Sequence, residues 1–512
     1  MIKTKLTASK TEVSTPTQLL KAANGSAIIR AFLLAVIIGA GPLQKAKADY
    51  TTKPDPSTSY LHWDGWGTSL SWWANVFGSN NAVVDAVFTL NTTTVNGYSV
   101  PGLGFTIARY NLGGSCWDMC GGGYMQPSPN IPAFKQIQAY WVNNTNYNVN
   151  SSSWDWTHDA KQRAALLRAN ADGAEMFQLF ANSPVWWQCL NSNPSGNGGS
   201  DNLKPWRNND FAYSLAAVAK YAKTNWGVTF SFVEAFNEPT DAYWTPDGNQ
   251  EGCHFDTGTQ ITVISNLNQQ MINLGISSIG IAASDCLTYD EARTTWNSFD
   301  STTKGKVDLI NVHGYQYSDS GSARASLNSA TAGKIIWNSE YSDPDATGMQ
   351  MVGNLNKDIY YLHNIKAWCY WQAYDSGGWG LFAANPGDNW LGYPNIKWYM
   401  MAQYSRHIRG GQTNLLISSG DVNTVTAYQA VKSKLIIVSS NPSTNAAGVW
   451  ITYDLSNFTT VNGPVNRWIT VADGSEKYAN HSGDTFLQPG KKFWSWFPPR
   501  SVQTFEVSNI VQ

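Results

Sequence analysis

Eight short apolar segments alternate with helical patterns between residues 62 and 372, and this repeat restricts the folds open to the chain. The segments are residues 62–66, 104–110, 174–180, 230–237, 278–284, 307–313, 334–340 and 366–372. Between them, apolar residues recur every three or four positions, as in Phe211, Leu215 and Val218, which is the period of an amphipathic helix. Strands that alternate with helices form a parallel sheet, so eight repeats predict a closed (β/α)8 TIM barrel of the α/β class.

Two of these segments end on a glutamate. The fourth is predicted to stop at Glu238, because Pro239 has no N–H for a continuing ladder, and the seventh closes on Glu340. The two residues are 102 positions apart (340 less 238), or three steps of 34, close to the ~31 residues per unit of a ~250-residue barrel. Strands three steps apart in an eight-stranded ring lie nearly opposite each other. We therefore expect both carboxylates at the C-terminal rim, facing each other.

A facing pair of carboxylates suits the cleavage of a glycosidic bond. That reaction needs one protonated carboxyl to assist the leaving oxygen and one ionised carboxyl to meet the oxocarbenium-like centre. We expect Glu238 to supply the proton, Asn237 to bond a sugar hydroxyl, and Glu340 to stay ionised. A lone strand-end glutamate is more often a salt-bridged structural residue, but two at equivalent positions favour catalysis. Glu234, about four residues deeper at ~3.3 Å per residue, is predicted to form a structural ion pair inside the barrel.

Further candidate site residues lie at strand ends and in loops. Arg109 ends the second strand and is a candidate partner for Glu340 or the substrate, with a purely structural role as the alternative. His313 and Tyr315 follow the sixth strand and are placed to orient the nucleophile, and Trp371 is a candidate floor under the reacting sugar. Loop aromatics are expected to line subsites, although half of them would suit simple packing. They are Trp187, Trp244 and Trp379, with Trp186, Tyr243 and Trp390 as further candidates.

Four connections are long and rich in Gly, Asn, Pro and aromatic residues: 111–157, 181–210, 239–256 and 373–396. Connections of this length without a helical period are usually functional. They follow strands two, three, four and eight, so all four would rise from the catalytic face. Together they predict a cleft.

From about residue 414 the apolar pattern changes to a period of two, which predicts an antiparallel β-sandwich over residues 413–512. The barrel then occupies residues 62–412, and residues 49–61 are a lead-in that includes a candidate strand joining the β-domain. Tryptophans alternate along the β-domain, and packing in its core is the favoured explanation over an exposed surface that grips polysaccharide. They are Trp450, Trp468, Trp494 and Trp496.

Residues 1–48 have the pattern of a signal peptide. Four lysines precede an apolar run over residues 27–40, and Ala-Lys-Ala at 46–48 fits a cleavage site, so we expect a secreted, extracellular protein. An N-terminal anchor is the alternative, since the lysine-bearing region is unusually long. Six cysteines in an exported chain favour loop-stapling disulfides over metal ligation. Five sequons in the mature part are available for glycosylation in a eukaryotic source: Asn91, Asn143, Asn150, Asn457 and Asn480.

The composition narrows the ligand class. The chain has 34 basic and 36 acidic residues, a net charge of −2 and no basic run, which makes nucleic acid an unsuitable partner. Only 14% of residues are charged, whereas there are 24 Trp and 24 Tyr. This mixture suits an uncharged polar ligand such as a polysaccharide.

Taken together, these segments resemble glycoside hydrolase family 30, and within it the fungal-type endo-β-1,6-galactanases. The matching segments are residues 65–70, 72–73, 107–111, 182–184, 186–187, 234–239, 250–255, 311–315, 337–341 and 371–373. The likeness extends from about residue 60 to the C-terminus. It is specific as a set, although Asn-Glu-Pro at 237–239 alone is shared by many barrel glycosidases.

The resemblance implies a retaining double displacement, with Glu238 as acid/base and Glu340 as nucleophile, and carboxyls roughly 5–5.5 Å apart. It also implies a β-domain packed on the barrel and no cofactor. The implied substrate is the β-1,6-galactan side chain of arabinogalactan proteins. Apart from the resemblance, we expect no metal site and a monomer that does not bind membranes once the signal is removed.

Three alternatives stay open from the residues alone. A β-1,6-glucanase or xylanase would have the same catalytic pair, because galactose and glucose differ in the orientation of one hydroxyl. A non-catalytic polysaccharide-binding protein on the same scaffold would be expected to lack one carboxylate. A surface module that grips polysaccharide through the β-domain would expose its aromatic residues.

Overall fold

The computed structural model describes residues 49–411, 413–418 and 421–512. The signal-peptide prediction for residues 1–48 lies outside the described residues. Within the described part of the chain, every helix is too short or too polar to traverse a lipid bilayer.

Eight parallel strands close into a barrel, which confirms the predicted TIM barrel. Strands β1 to β8 are Gly65–Ser69, Ile107–Asn111, Met176–Phe180, Phe232–Glu234, Gly280–Cys286, Leu309–His313, Ile335–Tyr341 and Ile365–Gln372. Predicted and observed bounds differ by a few residues at most ends. The exception that matters is β4, which ends at Glu234, so the prediction that this strand runs to Glu238 is wrong. Residues 235–238 instead form an irregular segment above the strand.

The described helices are Trp73–Phe77, Asn81–Phe88, Ala160–Ala171, Asn208–Tyr221, Thr257–Asn273, Tyr289–Ser298, Ser301–Lys306, Ser322–Ala330, Met349–Tyr361 and Ile396–Ser405. A π-helical turn, Ala222–Trp226, extends the fourth of them. Two hairpins flank the barrel: Thr92–Val95 with Tyr98–Pro101, and Phe382–Asn385 with Trp390–Pro394. Tyr374–Asp375 pairs with the second of these hairpins.

Alternate strand residues fill the barrel in two layers of opposite character, as the two-residue period of a strand requires. The lower layer is a separate apolar cluster that includes Ile107, Ala282, Leu309, Trp337 and Cys369. Two residues further along these strands the side chains become polar. These upper-layer residues are Arg109, Ser284, Asn311 and Ser339, with Gln178 and Glu234 from β3 and β4.

Two irregularities break this alternation at the upper rim. The pairing of β6 with β7 shifts between Val312 and His313, so that His313 faces Glu340. The pairing of β5 with β6 skips Asp285, which has a positive φ of 58°. A bulge inserts an extra residue and re-aims the side chain. The two bulges therefore turn the carboxylates of Asp285 and Glu340 toward the barrel axis, whereas regular alternation would have directed them away from it.

The predicted β-sandwich is confirmed as two sheets. The larger sheet has the spatial order Pro54–His62, Thr413–Ser418, Thr424–Gln429, Lys434–Asn441, Ser501–Val507, Val465–Val471 and Ala479–Asn480. The smaller sheet contains Tyr50–Thr52, Val449–Asp454 and Lys492–Phe497. Thr460–Val461 and Ile510–Val511 form a short ribbon. The lead-in thus supplies a strand to each sheet.

The larger sheet packs on the barrel through specific polar contacts. Gln403, on helix Ile396–Ser405, donates to Thr470 at 2.9 Å, and the Thr504 hydroxyl donates to the Gln403 side chain at 2.6 Å. His407 Nδ1 lies 2.9 Å from Glu506 of the same sheet. These contacts are buried, so the β-domain and the barrel share one polar seam.

The expectation that the β-domain tryptophans pack in its core is wrong. Trp450, Trp494 and Trp496 are 37%, 48% and 40% exposed, because strand Lys492–Phe497 alternates inward phenylalanines with outward tryptophans.

The predicted disulfides are not found either. The six cysteines are all unpaired, buried thiols. Burial among apolar side chains explains their positions, as for Cys369 in the lower barrel layer.

Candidate active site

The C-terminal ends of the barrel strands open into a cleft with a volume of about 1030 Å³. All four long connections contribute to its walls, which confirms the predicted cleft. The first supplies Phe134 and Lys135, the second Asn182, the third Tyr243 and Trp244, and the fourth Trp379 and Asn385. Glu238 and Glu340 both line this cleft.

Glu238 is held above β4 by contacts on its backbone and its carboxylate. It has a positive φ of 46°, a conformation that non-glycine residues keep only where their surroundings fix it. Its N–H donates to the Asp285 carbonyl at 2.8 Å, and its carbonyl accepts from Trp244 Nε1 at 2.9 Å. Oε1 lies 2.9 Å from His313 Nδ1, and Oε2 accepts from the Tyr243 hydroxyl. The carboxylate is therefore fixed in one orientation.

Glu340 is aimed into the cleft by the bulge on β7. Its Oε1 accepts from the Tyr315 hydroxyl at 2.9 Å. Its Oε2 lies 3.5 Å from Arg109 Nη1 and 3.6 Å from His313 Nε2. One carboxylate oxygen is thus hydrogen-bonded, and the other faces two cationic side chains.

A buried ion pair lies beneath both carboxylates. Arg109 Nη2 is 2.5 Å from Asp285 Oδ2, and both side chains are fully buried. The same guanidinium donates to Gln178 Oε1 and to the Ser339 carbonyl, each at 2.8 Å. Asp285 Oδ1 accepts from the Ser339 hydroxyl and lies 3.2 Å from His313 Nε2. Asp285 therefore links Arg109 and His313, the two cations that contact the catalytic candidates.

These charges determine the protonation of the floor. Burial alone would lower the pKa of His313, but the charges of Glu340 and Asp285 and the contact with Glu238 raise it well above 6.5. Burial would raise the pKa of Asp285, whereas Arg109 and His313 hold it well below 3.8. His313 is therefore an imidazolium whose Nδ1 donates to Glu238 and whose Nε2 lies 3.2 Å from Oδ1 of the Asp285 carboxylate.

Burial raises the pKa of two further carboxyls, and the ion pair predicted for Glu234 is wrong. The pKa of Glu340 rises to about 7, with His313 and Arg109 opposing that rise and Glu238 adding to it. Glu234 makes no ion pair among the described residues, and burial together with Asp285 raises its pKa well above 4.5. Arg109 pairs with Asp285 instead of Glu234.

The separation of the two cleft carboxylates decides which hydrolysis they suit. One oxygen of Glu238 and one of Glu340 lie within 4.8 Å of each other and of a His313 nitrogen. Retaining glycosidases have carboxyls ~5–5.5 Å apart, and inverting enzymes need ~6.5–9.5 Å to admit a water. The pair therefore fits the retaining geometry.

The same three side chains are a poor cation site. A metal takes an imidazole through a neutral nitrogen, but the His313 Nδ1 is directed at Glu238 and its Nε2 at Asp285. A second cluster of possible metal ligands, formed by Asp201, His254 and Asp256, is explained by local structure. Asp201 accepts from the Asp256 N–H at 2.6 Å, at the beginning of helix Thr257–Asn273.

Several predicted contact residues do line the cleft. Asn237 and Tyr315 reach it next to the carboxylates. Trp371 meets Trp72 edge to face, with ring centroids 5.2 Å apart, and both line the cleft. Trp379 lines it with 41% of its surface exposed.

Other predicted contacts are wrong or need a different role. Trp187 does not line the cleft: it is buried, and its Nε1 donates to the Trp141 carbonyl at 3.1 Å. Arg109 and His313 are also fully buried, so they hold the carboxylates and do not touch a sugar. Trp244 borders the cleft but is only 2% exposed and supports the Glu238 carbonyl.

Three site residues were missed from the sequence. Asp285 directly follows the predicted fifth strand, so its strand-end position was an available signal. Trp72 and Lys135 line the cleft wall, where the Lys135 ammonium lies 4.0 Å over the Trp72 ring. Their sequence context gave no sign of this pairing, since 62 positions (135 less 72, less one) separate them.

A TIM barrel whose rim holds two carboxylates this close together, in an open cleft lined by aromatic side chains, is the arrangement of a glycoside hydrolase. The model for O-glycosyl hydrolase family 30 matches residues 46–323. An endo-β-1,6-galactanase from Hypocrea rufa is 45% identical over 473 residues, which cover 91% of this chain and 96% of that protein. The chain therefore belongs to glycoside hydrolase family 30.

Solved structures support the same fold at low sequence identity. The catalytic domain of a family 30 xylanase C from Talaromyces cellulolyticus superposes with a TM-score of 0.66 at 19% identity, covering 90% of this chain and 100% of that one. A conserved exported protein from Bacteroides fragilis gives a TM-score of 0.70 at 16% identity, covering 89% and 100%. Both likenesses extend over the barrel and the β-domain.

Proposed function

We propose that this protein is an endo-β-1,6-galactanase that cuts the galactan side chains of arabinogalactan proteins with retention of configuration. The observation that carries the proposal is the approach of the Glu238 and Glu340 oxygens to within 4.8 Å. The substrate class is supported by the near full-length similarity to a fungal protein of that name. The long open cleft suits attack within a chain.

In the first step Glu238 donates its proton to the glycosidic oxygen while Glu340 forms a bond to the anomeric carbon. The Tyr315 hydroxyl on Oε1 and Arg109 near Oε2 hold Glu340 in the attacking orientation. His313 and Tyr243 hold Glu238 in the same way. Trp371 provides an apolar surface for one face of the reacting sugar.

In the second step Glu238, now a carboxylate, takes a proton from water as that water attacks the anomeric carbon. Glu340 leaves as the sugar is released with its original configuration. The cycle therefore starts with the transferable proton on Glu238 and with Glu340 ionised. Burial raises the pKa of Glu340 to about 7, so the attacking carboxylate form of Glu340 is favoured as pH rises through that value.

The proposal extends to the location and state of the protein. The signal-peptide pattern supports secretion of a mature chain that begins near residue 49. We further propose that this chain acts as a monomer outside the cell and needs no cofactor. Of the five sequons, Asn91, Asn150, Asn457 and Asn480 are exposed, and these four suit glycosylation. Asn143 is half-buried and accepts from Thr145 and Ser153, which leaves less room for a glycan.

The two roles are separated by Glu238→Gln and Glu340→Gln on an aryl β-1,6-galactobioside whose leaving group needs no proton. Glu340→Gln should lose at least about 10⁴-fold in kcat. Glu238→Gln should lose about 10²–10⁴-fold on galactan and much less on the aryl substrate. Azide should restore turnover to the truncated variants, in which the lost side chain leaves room for the anion, giving a β-galactosyl azide with Glu238→Ala and an α-galactosyl azide with Glu340→Ala. Equal behaviour of the two variants would contradict the assigned roles.

Incubation with β-1,6-galactan, β-1,6-glucan and xylan in parallel tests the substrate. Internal cuts in galactan alone are expected from the similarity to a galactanase, because a site that hydrogen-bonds one hydroxyl rejects a sugar that places it differently. Equal rates on galactan and glucan would contradict the galactan assignment and leave the retaining chemistry intact.

A further inference from the structure

A second, smaller groove lies on the side of the barrel. It has a volume of about 460 Å³ and is lined by eight residues, none of which is ionisable. Its polar lining is Ser79, Asn80, Asn96 and Asn389, and its apolar lining includes Phe77 and Trp390. Amide and hydroxyl groups beside an exposed indole bind neutral polyhydroxylated ligands, and an uncharged lining gives no attraction to an anion or a charged peptide.

Trp390 is a fixed platform in this groove. Its side chain is 48% exposed. One face packs on Gly392, where an added Cβ would lie 2.3 Å from the indole Cη2. The Asn96 side chain donates to the carbonyls of Leu391 and Gly392 at 2.6 and 2.9 Å, which ties the strand below the indole to the neighbouring hairpin. The free face of the ring is therefore held in one direction.

The groove and the active-site cleft share one hairpin. Asn385 and Pro386 line the cleft, and Trp390 is the residue paired with Asn385 across that hairpin. Paired residues of antiparallel strands have Cα atoms about 4.5–5.5 Å apart. Along the sequence, only the turn Pro386–Asp388 and Asn389 separate these two residues. A polysaccharide that leaves the cleft past Asn385 is therefore close to the strand that carries Trp390.

We propose that the groove beside Trp390 is a distal binding site for the same galactan main chain that occupies the cleft. This rests on the proposed function, since the occupant is the uncut continuation of that substrate. Stacking on Trp390 and hydrogen bonds with the Asn80 and Asn389 side chains would hold galactose units remote from the cut bond. The site raises affinity for long chains and contributes nothing to bond cleavage itself.

The test compares Trp390→Ala with wild-type protein on debranched β-1,6-galactan and on β-1,6-galactotriose, which is too short to span both sites. We expect KM for the polymer to rise about three- to tenfold with little change in kcat, the loss of one aromatic platform. For galactotriose, kcat/KM should change less than twofold. Trp390→Phe, which keeps a ring, should recover most of the loss.

Phe486→Ala is the control, because Phe486 is an exposed aromatic residue of the β-domain (69%) that is not one of the tryptophans with a possible role in gripping polysaccharide. It should leave both substrates unaffected. An equal loss on polymer and trisaccharide in Trp390→Ala would overturn the proposal, as would no loss on the polymer. A loss confined to arabinose-bearing galactan would also overturn it, by assigning the groove to a branch. If wild-type protein failed to cut galactan at all, the proposed function itself would fall.

Discussion

The lower and upper layers of the barrel interior come from the same strands but follow different rules. On β6, Leu309 lies in the apolar lower cluster, and His313, four residues on, is a buried imidazolium between three carboxylates. The lower layer keeps the two-residue alternation and carries no charge. The upper layer breaks it with bulges at Asp285 and near Glu340. The difference shows that packing specifies the barrel, whereas local departures from regular pairing build the site.

The sharpest test of this contrast is Asp285→Asn, which keeps the shape of the side chain and removes its charge. Arg109 would lose a fully buried partner at 2.5 Å, and breaking such a pair costs about 3–5 kcal/mol. Because Arg109 and His313 also position Glu340 and Glu238, kcat on galactan should fall about 10²-fold. Urea unfolding and steady-state kinetics measure the two effects.

The pH dependence of that stability loss has a defined sign. The pKa of Asp285 is depressed in the folded protein, so its contribution is present above the ordinary value of 3.8 and is lost as pH falls toward the lower folded pKa. The difference in unfolding free energy between wild type and Asp285→Asn should therefore narrow only below pH 3.8. Asp290→Asn is the control, since Asp290 forms an exposed pair with Arg293 and should cost less than about 1 kcal/mol. Similar losses of stability in Asp285→Asn and Asp290→Asn would show that the buried ion pair contributes no more than an exposed one.

The pH profile of activity tests the upper layer. Glu340 attacks as a carboxylate, and burial raises its pKa to about 7. As pH falls below about 7 this nucleophile takes up a proton, so kcat/KM should fall about tenfold per unit on the acid side. Undiminished kcat/KM at pH well below 7 would contradict this protonation of Glu340.

The sequence was sufficient where repeated physical constraints act. Apolar runs, helical spacing and the 102-residue interval predicted the barrel and placed Glu238 and Glu340 together at its rim. It was insufficient where the direction of a side chain depends on a single hydrogen bond or backbone angle. The positive φ values of Glu238 and Asp285 and the bulge on β7 depend on contacts between distant strands, and these re-aim side chains.

Aromatic residues show the same division. Trp187 and Trp379 both lie in long connections, yet one is buried against Trp141 and the other lines the cleft. Composition cannot separate them, because packing between loops determines which indole reaches the surface. On the β-domain, alternation predicted that Trp494 and Trp496 share a face but not that this face is the outer one.

The smallest catalytic effect is expected from the lower layer, with Leu309→Ala. Removing a fully buried leucine should cost about 2–5 kcal/mol of stability, because the surrounding strands cannot close the cavity. The polar layer two residues above separates this cavity from Glu340, so kcat of the folded variant should stay within about twofold of wild type. Kinetics well below the melting temperature, with the folded fraction measured by circular dichroism, give both values. A large fall in kcat with little change in stability would mean that the lower layer positions the carboxylates directly, and the two layers would then act as one.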